Sequence, residues 1–172
     1  MSARLKTTDS RKPEIATGFW RSSRYHRASA PAMHPALLTL PHGPGFRFVD
    51  SLEELDPGRS GSGLYHLRGD EPFLAGHFPG QPLLPGVLLI EAVAQLGGVV
   101  AQSDPERTPV ADLRLAAVHH AKLTGTAVPG QTVRLQATVC GRLGPLVQIE
   151  GRAEVGSQVI LTTRLTLGGT AD

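Results

Sequence analysis

The sequence predicts an α+β domain in which one long, buried helix lies against an antiparallel β-sheet. A chain of 172 residues suits a single domain, since roughly 100 to 200 residues is the usual domain size. Residues 83–102 are apolar on almost every side, as is typical of a helix enclosed by other elements. Short turns separate the runs that follow, which favours antiparallel neighbours over helical crossovers.

Six segments have the pattern of β-strands. In 132–141, the apolar residues Val133, Leu135, Ala137 and Val139 alternate with polar ones, which predicts one buried and one wetter face. The predicted strands are 46–52, 63–67, 112–119, 132–141, 147–155 and 158–167.

The predicted helix spans 83–102, with Pro85 at its first position, where the missing N–H of proline costs nothing. Its length of about 20 residues would also suit a membrane span. Glu91 near its middle, Gln95 and the early Pro-Gly pair disfavour lipid, so we expect a buried helix and no membrane span.

The first 36 residues differ from the rest in charge. They hold seven Lys or Arg and two Asp or Glu, which leaves ten basic and thirteen acidic side chains for residues 37–172. Ser, Thr, Arg and Pro are frequent in this part and no hydrophobic period is visible. We therefore expect a disordered, basic extension over 1–36 and one folded domain over 37–172.

Several interpretations of this extension remain open. Translation could begin at Met33, which would leave 1–32 untranslated. An Arg- and Ser-rich leader also has the composition of an organelle transit peptide, although no apolar stretch of a secretory signal is present. Trp20 and Tyr25 among arginines could stack on single-stranded nucleic acid, but one short cluster is a weak signal, and no nucleic-acid partner is predicted.

The chain has one cysteine, Cys140. A single thiol cannot close an intrachain disulfide or form a Cys-rich zinc site, which excludes secreted disulfide scaffolds and zinc fingers. We expect a cytoplasmic protein without a metal or cofactor.

Two positions in and before the helix carry candidate chemistry. Glu91 and Gln95 stand four residues apart, hence on one helical face. A carboxyl group among apolar neighbours loses hydration of its charged form and holds a proton more readily, although a Glu paired at a subunit seam would have the same pattern. Upstream, four prolines and three glycines within 70–86 restrict the backbone around His77, directly before a helix N-terminus rich in N–H donors.

Three motifs carry a resemblance to a known family. They are Gly76-His77-Phe78-Pro79-Gly80, Pro85-Gly86-Val87-Leu88 and Glu91-Ala92-Val93-Ala94-Gln95, supported by Leu40-Pro41-His42 upstream and Val128-Pro129-Gly130 downstream. In sequence and spacing they closely resemble the signature of the (3R)-hydroxyacyl-[acyl carrier protein] dehydratases, hotdog-fold enzymes of type II fatty acid synthesis. The resemblance covers about residues 38–167.

This resemblance implies a long central helix wrapped by a curved antiparallel sheet, assembled as a dimer or a trimer of dimers. Each active site would be shared between two copies, so that His77 of one copy faces Glu91 of the other. The substrate would be a 3-hydroxyacyl chain on an acyl carrier protein.

The resemblance also assigns roles to these residues. His77 would remove the α-proton and Glu91 would protonate the departing β-hydroxyl; in an alternative division, His77 moves both protons and Glu91 orients the water. The Gly86 N–H would hold the thioester oxygen and Gln95 would orient Glu91. Phe78, Leu84 and Leu88 are candidates for lining the acyl pocket, whereas His42, His66 and Cys140 receive no role.

Two other functions remain open from the sequence. One is a different hotdog thioester enzyme, such as a CoA-linked hydratase or a thioesterase. The other is a non-catalytic acyl-binding partner. In addition, the positions after Lys122, where members of the family usually carry basic residues, hold Leu123, Thr124, Gly125 and Thr126. This leaves fewer positive charges on a surface that could bind an acidic carrier protein.

Overall fold

The computed structural model describes residues 33–170, in which a single α-helix lies against a six-stranded antiparallel sheet. The helix, α1, spans Gly86–Gln102. The strands are β1 Ser51–Asp56, β2 Ser60–His66, β3 Ala111–Leu123, β4 Thr132–Leu143, β5 Leu146–Val155 and β6 Gln158–Thr170. Their order across the sheet is β1-β2-β4-β5-β6-β3, with β3 at one edge. The predicted α+β class is confirmed.

The helix begins three residues later than predicted. Pro85 is extended, with ψ of 132°, and caps the helix, so Gly86 is the first helical residue. Leu84 lies outside the helix because its N–H donates to the carbonyl of Ala127 at 2.8 Å. The prediction that Pro85 occupies the first helical position was therefore wrong by one residue.

Small residues let α1 approach the sheet closely. A Cβ added to Gly151 of β5 would lie 2.6 Å from the carbonyl oxygen of Gln136 and would also collide with Val93 of α1. A Cβ on Gly97 of α1 would lie 3.0 Å from Ile149 of β5. The helix is therefore buried along most of its length, and its face that carries Glu91 is held at a fixed depth.

The first predicted strand, 46–52, is displaced in the structure. Pro44–Phe46 forms a short 3₁₀ helix, and β1 begins only at Ser51. Phe48 is buried at 1% exposure, but its N–H donates to the side chain of Gln95 instead of to a neighbouring strand. The apolar run belongs to a segment that crosses the helix. The prediction that this segment is buried was correct, whereas the prediction that it pairs as a strand from residue 46 was wrong.

The other strands match the predicted positions and are longer, above all β3, which continues to Leu123. Strand β3 pairs only with β6 among the described residues, and its other side is free. The cross-strand neighbours of buried Leu165 and Leu161 on β6 are Val118 and Leu123 of β3. These two side chains remain 46% and 48% exposed, so the edge strand carries an apolar stripe that the chain's own helix does not cover.

The predictions for residues 1–32 lie outside the described part of the chain. The described fold already includes a 3₁₀ helix at Pro35–Thr39, whose Leu37 is buried. Within residues 33–170, no helix is both long and apolar enough to cross a membrane.

Candidate active site

Gln95 organises the polar face of α1. Its side chain is 3% exposed, and its amide nitrogen donates to Glu91 Oε1 and to the carbonyl of Phe46, both at 2.9 Å. Its amide oxygen accepts the Phe48 N–H at 2.9 Å. The amide therefore fixes one oxygen of Glu91 and attaches the segment before β1 to the helix.

His42, which received no role from the sequence, also contacts Glu91. Its Nε2 lies 3.3 Å from Glu91 Oε1, and the two side chains are 30% and 20% exposed. Its backbone carbonyl accepts a hydrogen bond from Arg47 Nε at 2.8 Å, and this bond fixes the turn that carries the imidazole. Since His42 and Glu91 are distant in sequence, only the Leu40-Pro41-His42 motif could have indicated the contact.

Glu91 lies in a cleft of about 560 Å³ that follows α1. One wall presents Glu91, Ala94, Gly98 and Gln102, spaced about one helical turn apart. The start of β3 and the segment that carries His42 and Phe46 form the other sides. A carboxyl group at the head of a narrow, mostly apolar cleft can act on a polar group at the end of an alkyl chain.

Gln102, which also lines this cleft, is held by a pair of hydrogen bonds. Gln102 Nε2 donates to the Val110 carbonyl at 2.8 Å, and Gln102 Oε1 accepts a hydrogen bond from the Val110 N–H at 2.9 Å. The side chain is thereby joined to the segment that leads into β3. One residue of the lining, about three helical turns from Glu91, therefore has a fixed position.

His77 lies in the loop between the 3₁₀ helix Pro72–Leu74 and α1. Its Nδ1 is 3.1 Å from the Leu83 carbonyl oxygen. Because a carbonyl oxygen only accepts, Nδ1 carries the proton and Nε2 is left with a free lone pair, as a general base requires. Phe78 has a φ of 59°, in the left-handed region, and its carbonyl oxygen accepts a hydrogen bond from the Gln81 N–H at 2.9 Å.

Glu71 anchors the chain that leads into this loop. Burial alone would raise the pKa of its carboxyl group, but the Arg68 and Gly69 N–H groups donate to it at 2.8 and 2.7 Å. With the Tyr65 hydroxyl at 3.3 Å, these bonds hold the pKa of Glu71 below its ordinary value. This anchor was not predicted from the sequence, because its main donors are backbone N–H groups.

Gly86 is placed where the sequence predicted a helix N-terminus. As the first residue of α1, its N–H has no partner within the helix. A Cβ at this position would lie 2.5 Å from Leu123 Cδ1, so the close approach of β3 favours glycine here. The N–H therefore stands beside an apolar side chain and is available to an oxygen of a ligand.

The three candidate pocket residues have different environments. Phe78 is 57% exposed and packs on His77 with ring centroids 4.4 Å apart. Leu84 is 1% exposed and belongs to the core, against which half-buried Leu88 packs. None of the three is among the residues that line the Glu91 cleft in a single chain, so their contact with substrate stays a prediction.

The single chain does not bring all predicted site residues together. Glu91 and Gln95 share the cleft with His42, whereas His77 is not among its lining residues. Residues 33–170 contain no cluster of three or more His, Cys, Asp or Glu side chains suited to a metal ion. The described chain thus holds two candidate half-sites: the Glu91 carboxyl group in the cleft, and the His77 imidazole in the loop before the helix N-terminus.

A family model for the FabA-like domain matches residues 40–164, which include both half-sites. The chain belongs to this family. Among its relatives is the 3-hydroxyacyl-[acyl-carrier-protein] dehydratase FabZ of Desulforamulus reducens, 36% identical over 126 residues, or 73% of this chain and 88% of the relative. The protein of the same name from Geotalea uraniireducens is 37% identical over 134 residues, or 76% of this chain and 90% of that one.

Solved structures agree on the fold. The dehydratase heterocomplex ApeI:P from Xenorhabdus doucetiae matches with a TM-score of 0.66 at 18% identity, covering 77% of this chain and 89% of that chain. An HP0420 homologue from Helicobacter felis matches with a TM-score of 0.60 at 11% identity, covering 86% and 92%. The predicted hotdog fold, a helix enclosed by a curved antiparallel sheet, is confirmed.

Proposed function

We propose that the chain is a 3-hydroxyacyl-[acyl carrier protein] dehydratase of type II fatty acid biosynthesis, a hydro-lyase that yields the trans-2-enoyl thioester. The observation that carries the proposal is the placement of the Glu91 carboxyl, fixed by Gln95, at the head of an apolar cleft. Relatives named for this activity match about three quarters of the chain.

The chemistry needs one base and one acid. The free lone pair on His77 Nε2 takes up a proton from the α-carbon, and the electron pair of the broken C–H bond forms the double bond to the β-carbon. The β-carbon to oxygen bond breaks, and the proton of Glu91 goes to the departing hydroxyl, which leaves as water. A well-placed acid or base contributes on the order of 10²- to 10⁴-fold to such a reaction.

Negative charge builds on the thioester oxygen while the α-proton leaves. The Gly86 N–H at the positive end of α1 is the proposed donor to this oxygen. A donor of this kind contributes roughly 3 kcal/mol in comparable oxyanion sites.

The complete site requires a second copy of the chain. The exposed apolar stripe on β3, at the free edge of the sheet, is the proposed seam between the two copies. A long unpaired edge that carries apolar side chains is a liability for an isolated chain, since it can pair with any other strand. We propose that pairing brings His77 of one copy to Glu91 of the other, in a dimer or a trimer of dimers.

The proposed partner is an acyl carrier protein that presents the 3-hydroxyacyl chain, as the names of the relatives state for those proteins. A cytoplasmic location is part of the same proposal, because the single Cys140 is a free thiol, as is usual in reducing compartments.

The test is dehydration of a 3-hydroxyacyl carrier protein, followed by the absorbance of the enoyl thioester. We expect turnover by the natural sequence and a loss of about 10²-fold or more in His77→Ala and in Glu91→Gln. The exposed residues His66 and Glu54 provide matched controls, and His66→Ala and Glu54→Gln should retain full activity. Release of a free thiol without enoyl product would instead identify a thioesterase, and full turnover by either site variant would refute the assignment.

A further inference from the structure

Two nitrogen atoms approach one oxygen of Glu91. Gln95 Nε2 donates a hydrogen bond to Oε1 at 2.9 Å, and His42 Nε2 lies 3.3 Å from the same oxygen. A carboxyl group that carries a proton has it on only one of its two oxygens. Because Oε1 accepts the Gln95 N–H and faces the His42 imidazole, Oε2 is the oxygen left free to carry a proton when the acid acts.

The environment of His42 fixes which of its nitrogens donates. Its Nδ1 is buried and has no hydrogen-bond partner among residues 33–170. A hydrogen on Nδ1 would be a buried donor without an acceptor, which is costly. A lone pair there is less costly, which favours the tautomer whose hydrogen lies on Nε2, the nitrogen 3.3 Å from Glu91 Oε1.

Building on the proposed dehydratase function, we propose that His42 is a positioning residue for the acid. Together with Gln95 it holds Oε1 as an acceptor and leaves Oε2 to deliver the proton to the departing hydroxyl. When that proton leaves, Glu91 becomes a carboxylate, and its interactions with both nitrogens strengthen because the oxygen that they face is now charged. His42 and Gln95 therefore stabilise Glu91 more after it has given up its proton than before.

The surroundings of His42 suit this role. The Arg47 bond to its backbone carbonyl fixes the turn, and the ring of Phe46 stands 6.0 Å away, centroid to centroid. Gln95 holds the Phe46 and Phe48 backbones at the same time. One network thus sets the positions of the imidazole and of the carboxyl relative to each other.

The experiment compares His42→Leu with His42→Gln in the dehydration assay. Leu removes the donor, and we expect kcat to fall about 10- to 100-fold with KM nearly unchanged, the effect of losing a hydrogen bond to a charged group. The amide nitrogen of Gln reaches about as far as Nε2, so His42→Gln should recover most of kcat. His66→Leu, which alters an exposed histidine outside the cleft, should change neither constant.

A second comparison separates positioning from general damage. If His42 acts only through Glu91, then His42→Leu should cost little further activity in a Glu91→Gln background, because effects through one residue are not additive. Urea unfolding of each variant confirms that it is folded. Two results for His42→Leu would overturn the proposal: an unchanged kcat, or an effect on KM alone. The proposal would also fail if His42→Gln did not recover kcat, or if the losses were additive in the double variant. Absence of turnover in the natural sequence would instead overturn the proposed function, and this inference with it.

Discussion

The missing side chain at Gly151 determines how closely α1 approaches β5. On the sheet side, a Cβ at this position would meet the Gln136 carbonyl, and on the helix side it would meet Val93. Val93 is fully buried and lies two residues from Glu91, so a shift of the helix here would also move the acid.

We expect Gly151→Ala to lower the free energy of unfolding by about 1 to 3 kcal/mol, the usual cost of overpacking. Gly141 of β4 is the matched control, because a Cβ there would first meet the flexible end of Gln148, at 3.3 Å. Urea unfolding compares the variants. Equal midpoints for Gly151→Ala and Gly141→Ala would show that the helix can retreat without cost.

A contact between two residues could be predicted when the residues are close together in the sequence, and not when they are far apart. Glu91 and Gln95 were predicted together because one helical turn separates them, and their contact is present at 2.9 Å. The contact of His42 with Glu91 depends on how the segment before β1 folds back over α1. No periodicity within one element contains that information, and only the Leu40-Pro41-His42 motif could have indicated it.

At the scale of elements, the loop between β2 and α1 contains one short 3₁₀ helix and is otherwise held by side-chain hydrogen bonds to its backbone. Glu71 fixes its start through the backbone of Arg68 and Gly69, and His77 bonds to the Leu83 carbonyl near its end. The rigidity predicted from prolines and glycines therefore has a second source, a carboxylate whose pKa is lowered by these donors.

The lowered pKa of Glu71 predicts a pH-dependent contribution to stability. Because its pKa is lower in the folded than in the unfolded chain, the contribution is present above the unfolded pKa and is lost as pH falls through the folded pKa. Glu71→Gln should thus cost about 1 kcal/mol at neutral pH, allowing for solvent screening, and much less in acid. Urea unfolding at several pH values tests this, with Glu54→Gln as the control. A difference that persists unchanged in acid would contradict it.

The predicted elements were most accurate where apolar and polar residues alternate along a strand. Strand β4 begins at the predicted Thr132 and has the expected burial on alternate residues. The structure of segment 46–52 was harder to predict, because an apolar run can be buried either by pairing in a sheet or by crossing a helix. A side-chain amide from Gln95 decided the outcome, and it lies in another element.

At the scale of the whole molecule, the unpaired side of β3 is the proposed seam between two copies of the chain. A single chain holds Glu91 in its cleft and His77 in a loop outside it. The apolar stripe of β3, formed by Val118 and Leu123, lies at the free edge of the sheet. Assembly through β3 would bury this stripe, and we propose that it also brings His77 of one copy to Glu91 of the other.

We therefore expect Val118→Asp to prevent assembly and abolish dehydration together, because a charge would be buried at the seam. Leu143, which is 78% exposed at the β4–β5 hairpin, gives the control Leu143→Asp. Sedimentation measures the assembly and the enoyl absorbance measures activity. A monomeric Val118→Asp protein with full turnover would show that one copy is sufficient.

Gln102 and Glu91 line the same cleft from one helix, about three helical turns apart. The helix itself therefore sets the distance between them. A substitution at position 102 would change the shape of the cleft far from Glu91 and leave that carboxyl group in place. A chain built on this plan can thus diverge in the size of molecule that it accepts without altering its polar site.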